Sequence, residues 1–76
     1  MRQVQAQLKF FNLARGFGFF VSPEIDGDIF VHMETLKADG WVRIAPFQSV
    51  LAVVKKTEKG WIACRVFHPN RERSAP

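Results

Sequence analysis

The stretch RGFGFF, residues 15–20, sets two glycines among three phenylalanines directly behind an arginine. In a strand, successive side chains point to opposite faces. Phe17 and Phe19 then share a face with Arg15, while Gly16, Gly18 and Phe20 take the other. One face offers two large rings beside a cation. The other offers bulk at Phe20 alone. Alternation by itself leaves open which of the two is the interior, and the rest of the chain has to decide.

Upstream, VQAQLKFFN (4–12) alternates apolar and polar residues from Val4 to Lys9, which predicts a first strand with Val4, Ala6 and Leu8 on its buried face. The alternation slips at Phe10-Phe11. Those two rings must point to opposite faces or straddle a bulge. A short connection leads to a second strand over 15–21. SPEIDGD (22–28) is turn chemistry throughout. IFVHM (29–33) predicts a third strand, with Ile29, Val31 and Met33 on one face and Phe30 and His32 on the other.

A long connection follows over 34–45. It contains ADGW, has room for one helical turn at 34–37 but no full helix, and closes at Pro46. SVLAVVKK (49–56) and WIACRVF (61–67) predict the fourth and fifth strands, joined by the turn TEKG. The expected domain spans residues 1–68, and residues 69–76 form a polar tail. Five strands without a substantial helix predict an all-β fold, a five-stranded antiparallel closed barrel, because closure removes the exposed edges of a sheet.

The totals limit what such a chain can do. Its 76 residues suffice for one small domain with a thin core. The single cysteine, Cys64, cannot form an internal disulfide, and its apolar neighbours predict a buried, inert thiol. His32 and His68 are far apart in sequence and have no metal-ligand spacing, so neither a metal nor a cofactor is expected. No nucleophile–base pattern or phosphate loop suggests an enzyme. No apolar run reaches the ~20 residues of a membrane span. The first residues lack the apolar block of a signal peptide, so a cytoplasmic location is the expectation. Eleven Lys and Arg against seven Asp and Glu give a net charge of +4, which suits a polyanionic partner and equally suits solubility. Eight Phe and two Trp without a Tyr are a heavy aromatic load for so small a core.

KFFNLARGFGFF (9–20) followed by DIFVHM (28–33) resembles the cold-shock domain, a barrel of the OB type. The first stretch is similar to that family's first strand and RNP1 motif, the second to its RNP2 motif. The likeness continues through ADGW and through EKG ahead of the last strand, and covers roughly residues 4–67. The resemblance implies binding of single-stranded RNA and DNA with low sequence specificity. It places Phe10, Phe17, Phe19, Phe30 and His32 on a stacking platform flanked by Lys9 and Arg15. It adds Asp28 at a base edge, Met33 and Trp41 as outlying contacts, and Lys59 near the rim. Roles as an RNA chaperone or regulator of transcription and translation follow from the same likeness. The departures are Phe10 and Trp61 where the family usually has tryptophan and proline, Met33 where it usually has phenylalanine, and Trp41 where it has a smaller ring. APFQ (45–48) replaces an acidic, glycine-containing turn and leaves the start of the fourth strand undetermined.

The chemistry of the residues agrees with that expectation. Stacking on nucleobases requires flat faces in the open, and each such contact contributes roughly 1–3 kcal/mol whatever the base. Phe17 with Phe19, and Phe30 with His32, form two rows if their strands pair. Phe20, Ile29 and Val31 would then supply the core. The glycine face becomes the interior, and Arg15 sits beside the rings because a nucleic acid offers phosphates as well as bases. The competing expectation is a barrel whose aromatic patch docks a protein. A monomer is expected, with a dimer exchanging strands through the long connection as the alternative.

Overall fold

The computed structural model describes residues 1–69; the polar tail from Asn70 onward, with Arg71 and Arg73, lies outside the described residues. Five strands and one short helix follow in the order β1 (Arg2–Asn12), β2 (Phe17–Ser22), β3 (Ile25–His32), α1 (Met33–Ala38), β4 (Ser49–Thr57) and β5 (Gly60–Phe67). The strands close into a barrel in the order β1-β2-β3-β5-β4. Four of the pairings are antiparallel, but β3 and β5 run parallel, with Ile29 beside Trp61 and Phe30 beside Ile62. The expected five-stranded closed barrel is present, with this one parallel pair among its antiparallel ones. An odd number of strands cannot alternate direction around a closed ring, so one parallel pair is unavoidable.

The starts of β2 and β3 differ from the pattern for physical reasons. Arg15 belongs to the turn before β2, not to the strand. The turn expected over 22–28 shrinks to Pro23 and Glu24, because Ile25 is buried and already pairs with Ser22. Cys64 is half-buried on β5 and not sealed in the core.

The interior is built from alternate residues on four strands, Val4, Ala6 and Leu8 of β1, Phe20 of β2, Ile29 and Val31 of β3, and Val50, Ala52 and Val54 of β4, and from Ala63 and Val66 of β5, between which a register shift at Cys64 breaks the alternation. Phe20 is fully buried, so the glycine face of RGFGFF is the inside. The space at Gly18 is already taken. A Cβ there would lie 2.4 Å from the Phe11 ring and 2.5 Å from the Phe10 carbonyl oxygen. The register of β1 against β2 shifts between Leu8 and Phe10, which makes Lys9 the extra residue of a bulge. Phe10 then points outward, and Phe11 packs inward over Gly18. Gly16 serves differently, at φ +77° in the turn.

The long connection is more ordered than its sequence suggests. METLKA are good helix formers apart from Thr35, Leu36 is buried, and α1 runs six residues from Met33, which therefore leaves the face it was expected to share with Ile29 and Val31. His32 caps the helix: its Nδ1 accepts from the Glu34 N–H at 3.0 Å. At the other end, Gly40 N–H donates to the Lys37 carbonyl at 3.0 Å and Trp41 N–H to the Leu36 carbonyl at 3.0 Å, with Gly40 at φ +85°. These bonds define a Schellman closure, and Leu36 and Trp41 both belong to the core cluster.

ADGW is fastened to β5. The Asp39 carboxylate accepts from the Val66 N–H at 2.9 Å and from Arg65 Nε at 2.9 Å. The hydrogen bond and charge of Asp39 hold the Arg65 guanidinium above its ordinary pKa. Trp41 Nε1 donates to the Val66 carbonyl at 2.9 Å, and its ring stacks on His68 with centroids 3.9 Å apart.

The start of β4 is also resolved. Gln48 N–H donates to the Ala45 carbonyl at 3.1 Å, with Pro46 and Phe47 between them and Phe47 at φ +65°. Proline at the second position and a positive φ at the third identify a type II turn. Phe47 N–H donates to the Leu8 carbonyl, and Leu8 N–H to the Gln48 carbonyl. The turn thus runs into a G1 bulge, whose first residue is normally glycine. A side chain in this region costs roughly 1–2 kcal/mol, and glycine returns about 0.4–1 kcal/mol through its freer unfolded chain. Phe47→Gly is therefore expected to stabilise the fold by about 0.5–1 kcal/mol, measured as a rise in melting temperature.

Candidate nucleic-acid interface

The outward face of β1, β2 and β3 carries four phenylalanines in mutual contact. Cross-strand register aligns Phe10 with Phe19 and Phe19 with Phe30, while Phe17 lies between Asn12 and His32. Ring centroids are 5.6 Å apart for Phe10 and Phe19, 6.0 Å for Phe17 and Phe19, 5.6 Å for Phe17 and Phe30, and 5.7 Å for Phe19 and Phe30. The Phe17 and Phe30 planes lie within 27° of one another, while Phe19 meets both edge-on. Phe10 is 46% exposed, and the other three are half-buried, largely by packing on their neighbours.

None of the four is needed to fill the barrel, whose buried residues come from the opposite face. Such a continuous sheet of rings can take flat ligands. Among the described residues no three His, Cys, Asp or Glu side chains gather where they could hold a metal ion, and no helix is long and apolar enough to cross a membrane.

Charge is arranged around the rings. Lys9 Nζ meets the Asp28 carboxylate at 3.1 Å, and both side chains remain about half exposed. An ion pair this open contributes roughly 0–1 kcal/mol, so a phosphate can compete for Lys9 at little cost. Arg15 is exposed in the turn, where its backbone N–H donates to Asn12 Oδ1 at 3.1 Å. His32 is exposed beside Phe17, held in place by its capping bond. Lys59 is exposed in the β4–β5 turn, directly before the Gly60 that opens β5.

Two expected members are less open than the rings of the platform. Trp41, expected as an outlying contact, is 7% exposed and anchored to Val66 and His68, and it lines the cleft that Lys9 and Phe10 also line. Met33 is half-buried at the start of α1, against Gly16. Trp61 packs against the core with Lys56 over its ring. Sequence reasoning missed Ile62 and Lys55. They extend the outer row because Ile62 pairs with Phe30 and Lys55 with Ile62. The only signal for them is the parallel β3–β5 pairing, which no local pattern records.

A sequence model of the "Cold-shock" DNA-binding domain matches residues 4–69. The chain belongs to the cold-shock domain family. Its nucleic-acid-binding character comes with that membership. Among curated cold-shock relatives, the cold shock-like protein CspC of Buchnera aphidicola is 31% identical over 67 residues, covering 88% of this chain and 97% of that one. CspC of Escherichia coli K12 is 32% identical over 66 residues, covering 87% and 96%. The cold shock-like protein CspD of Vibrio cholerae is 41% identical over 56 residues, covering 74% of each chain. This cold-shock domain thus spans nearly the full length of the CspC relatives, while its long connection buries Trp41.

Proposed function

We propose that this cold-shock domain binds single-stranded RNA and DNA, holding bases on Phe10, Phe17, Phe19 and Phe30 with His32 at the margin. Lys9, Arg15 and Lys59 supply positive charge near the backbone, and Asp28, once released from Lys9, accepts from a base edge. The observation that carries this reading is the unbroken contact of four outward rings on a barrel whose core is complete without them. Binding of this kind favours the unpaired state of a nucleic acid by mass action. The protein acts as an RNA chaperone or regulator, as a monomer in the cytoplasm, without catalysis.

Neither indole lies on the platform, so the test reads the nucleic acid. Labelled oligothymidine and oligouridine titrated with the protein should gain anisotropy, with an affinity that falls in salt by a slope near 0.7 per phosphate neutralised. Phe17→Ala and Phe30→Ala should each weaken binding by roughly 1–3 kcal/mol. Each also loses ring–ring contacts, so a stability loss of about 1 kcal/mol accompanies it. Val31→Ala should destabilise the barrel and spare the affinity of the folded fraction. Absence of binding together with a dimer on size-exclusion chromatography would point to a protein-docking patch instead.

A further inference from the structure

The turn that opens β4 is strained at a residue the fold does not require. Phe47 holds φ +65° where glycine would sit without strain, and its ring is 72% exposed, so core packing does not repay the strain. Strain that persists in this way marks a position held for another purpose.

The position is next to the platform. Phe47 N–H is bonded to the Leu8 carbonyl at 2.8 Å, which roots the turn beside β1 at the residue preceding Lys9 and Phe10. The row Phe30, Phe19, Phe10 crosses β3, β2 and β1 in order, and the 45–48 turn is the next backbone beyond β1. Pro46 lines, together with Lys9 and Phe10, an apolar cleft of about 670 Å³ between β1, α1 and the long connection. Lys37 and Arg43 join Lys9 in its lining, and Val42 beside it is 96% exposed. An apolar surface that continues an aromatic platform and is edged by cations matches a chain of flat bases joined by phosphates.

We infer that Phe47 is a nucleobase-contacting residue at the β1 end of the platform. A strand passing from Phe30 across Phe19 and Phe10 continues onto the turn, where the Phe47 ring stacks one further base and Arg43 adds positive charge. The inference rests on single-strand binding by the platform and lengthens the tract that the domain engages.

Phe47→Gly separates the contact from the fold, because glycine keeps the turn. With labelled oligothymidines of about four and about ten nucleotides, within the range one OB-type barrel covers, the ten-mer should bind this variant about tenfold more weakly and the four-mer within about twofold. The variant should melt at a higher temperature than the wild type. Phe47→Trp, which keeps a flat ring, should retain ten-mer affinity, and its added indole emission should be quenched by the ten-mer. Unchanged ten-mer affinity in Phe47→Gly, or equal losses at both lengths, overturns the inference. A wild-type protein that binds neither oligomer overturns the platform reading beneath it, so the wild-type titration distinguishes the two failures.

Discussion

Trp41→Ala is expected to cost roughly 3–5 kcal/mol of stability, as removal of a large buried ring does, and to leave single-strand affinity of the folded fraction within about twofold. The side chain is a bolt in the long connection. Its Nε1 bond to the Val66 carbonyl, its stack on His68 and its share of the core cluster all go at once. Stabilities of small domains lie near the lower end of ~5–15 kcal/mol, so the variant should be partly unfolded at room temperature and is best measured cold. Urea unfolding reads the first effect, and anisotropy of bound oligothymidine reads the second. Trp41→Phe keeps a ring but orphans the carbonyl, and should cost about 1–3 kcal/mol. A Trp41→Ala protein of unchanged stability with a tenfold loss of binding would return this residue to the interface.

The reason Trp41 misled is instructive about what a sequence exposes. A tryptophan after glycine in a polar loop looks solvent-facing. Its burial depends on Asp39 and Val66, which are brought together across 27 positions by the barrel and not by any local period. The same holds for Ile62 and Lys55, which join the outer row through the parallel pairing of β3 with β5. By contrast, Phe17, Phe19 and Phe30 were legible because alternation groups them on one side of two adjoining strands, and DIFVHM supplies the core residues for the other. The core was legible for the same reason at Val4, Ala6, Leu8, Ile29 and Val31. Where alternation broke, at Phe10-Phe11, the sequence offered two outcomes, and a bulge centred on Lys9 selected between them. APFQ was opaque because a type II turn normally announces itself by glycine at its third position, and here Phe47 occupies it.

Gly18→Ala is expected to destabilise the barrel by about 3 kcal/mol or more, at or above the usual range for overpacking. The added Cβ would lie 2.5 Å from the Phe10 carbonyl oxygen and 2.9 Å from the Phe11 Cα, and backbone cannot swing aside as a side chain does. Gly16→Ala meets nothing closer than Met33 at 3.6 Å, so it carries the φ penalty of roughly 1–2 kcal/mol alone. Combining Phe11→Ala with Gly18→Ala removes the 2.4 Å ring contact but not the two backbone contacts. Rescue should therefore be incomplete in thermal unfolding. Full rescue would mean that glycine is there merely to admit the Phe11 ring. Partial rescue means that β1 and β2 themselves approach too closely for any side chain at this point. That approach accompanies the bulge at Lys9, and the bulge turns Phe10 out to meet Phe19 while Phe11 fills the barrel. The small residue inside RGFGFF is thus a condition for the large rings outside it: widening the sheet at Gly18 would disturb the Phe10–Phe19 contact and weaken binding even in molecules that still fold.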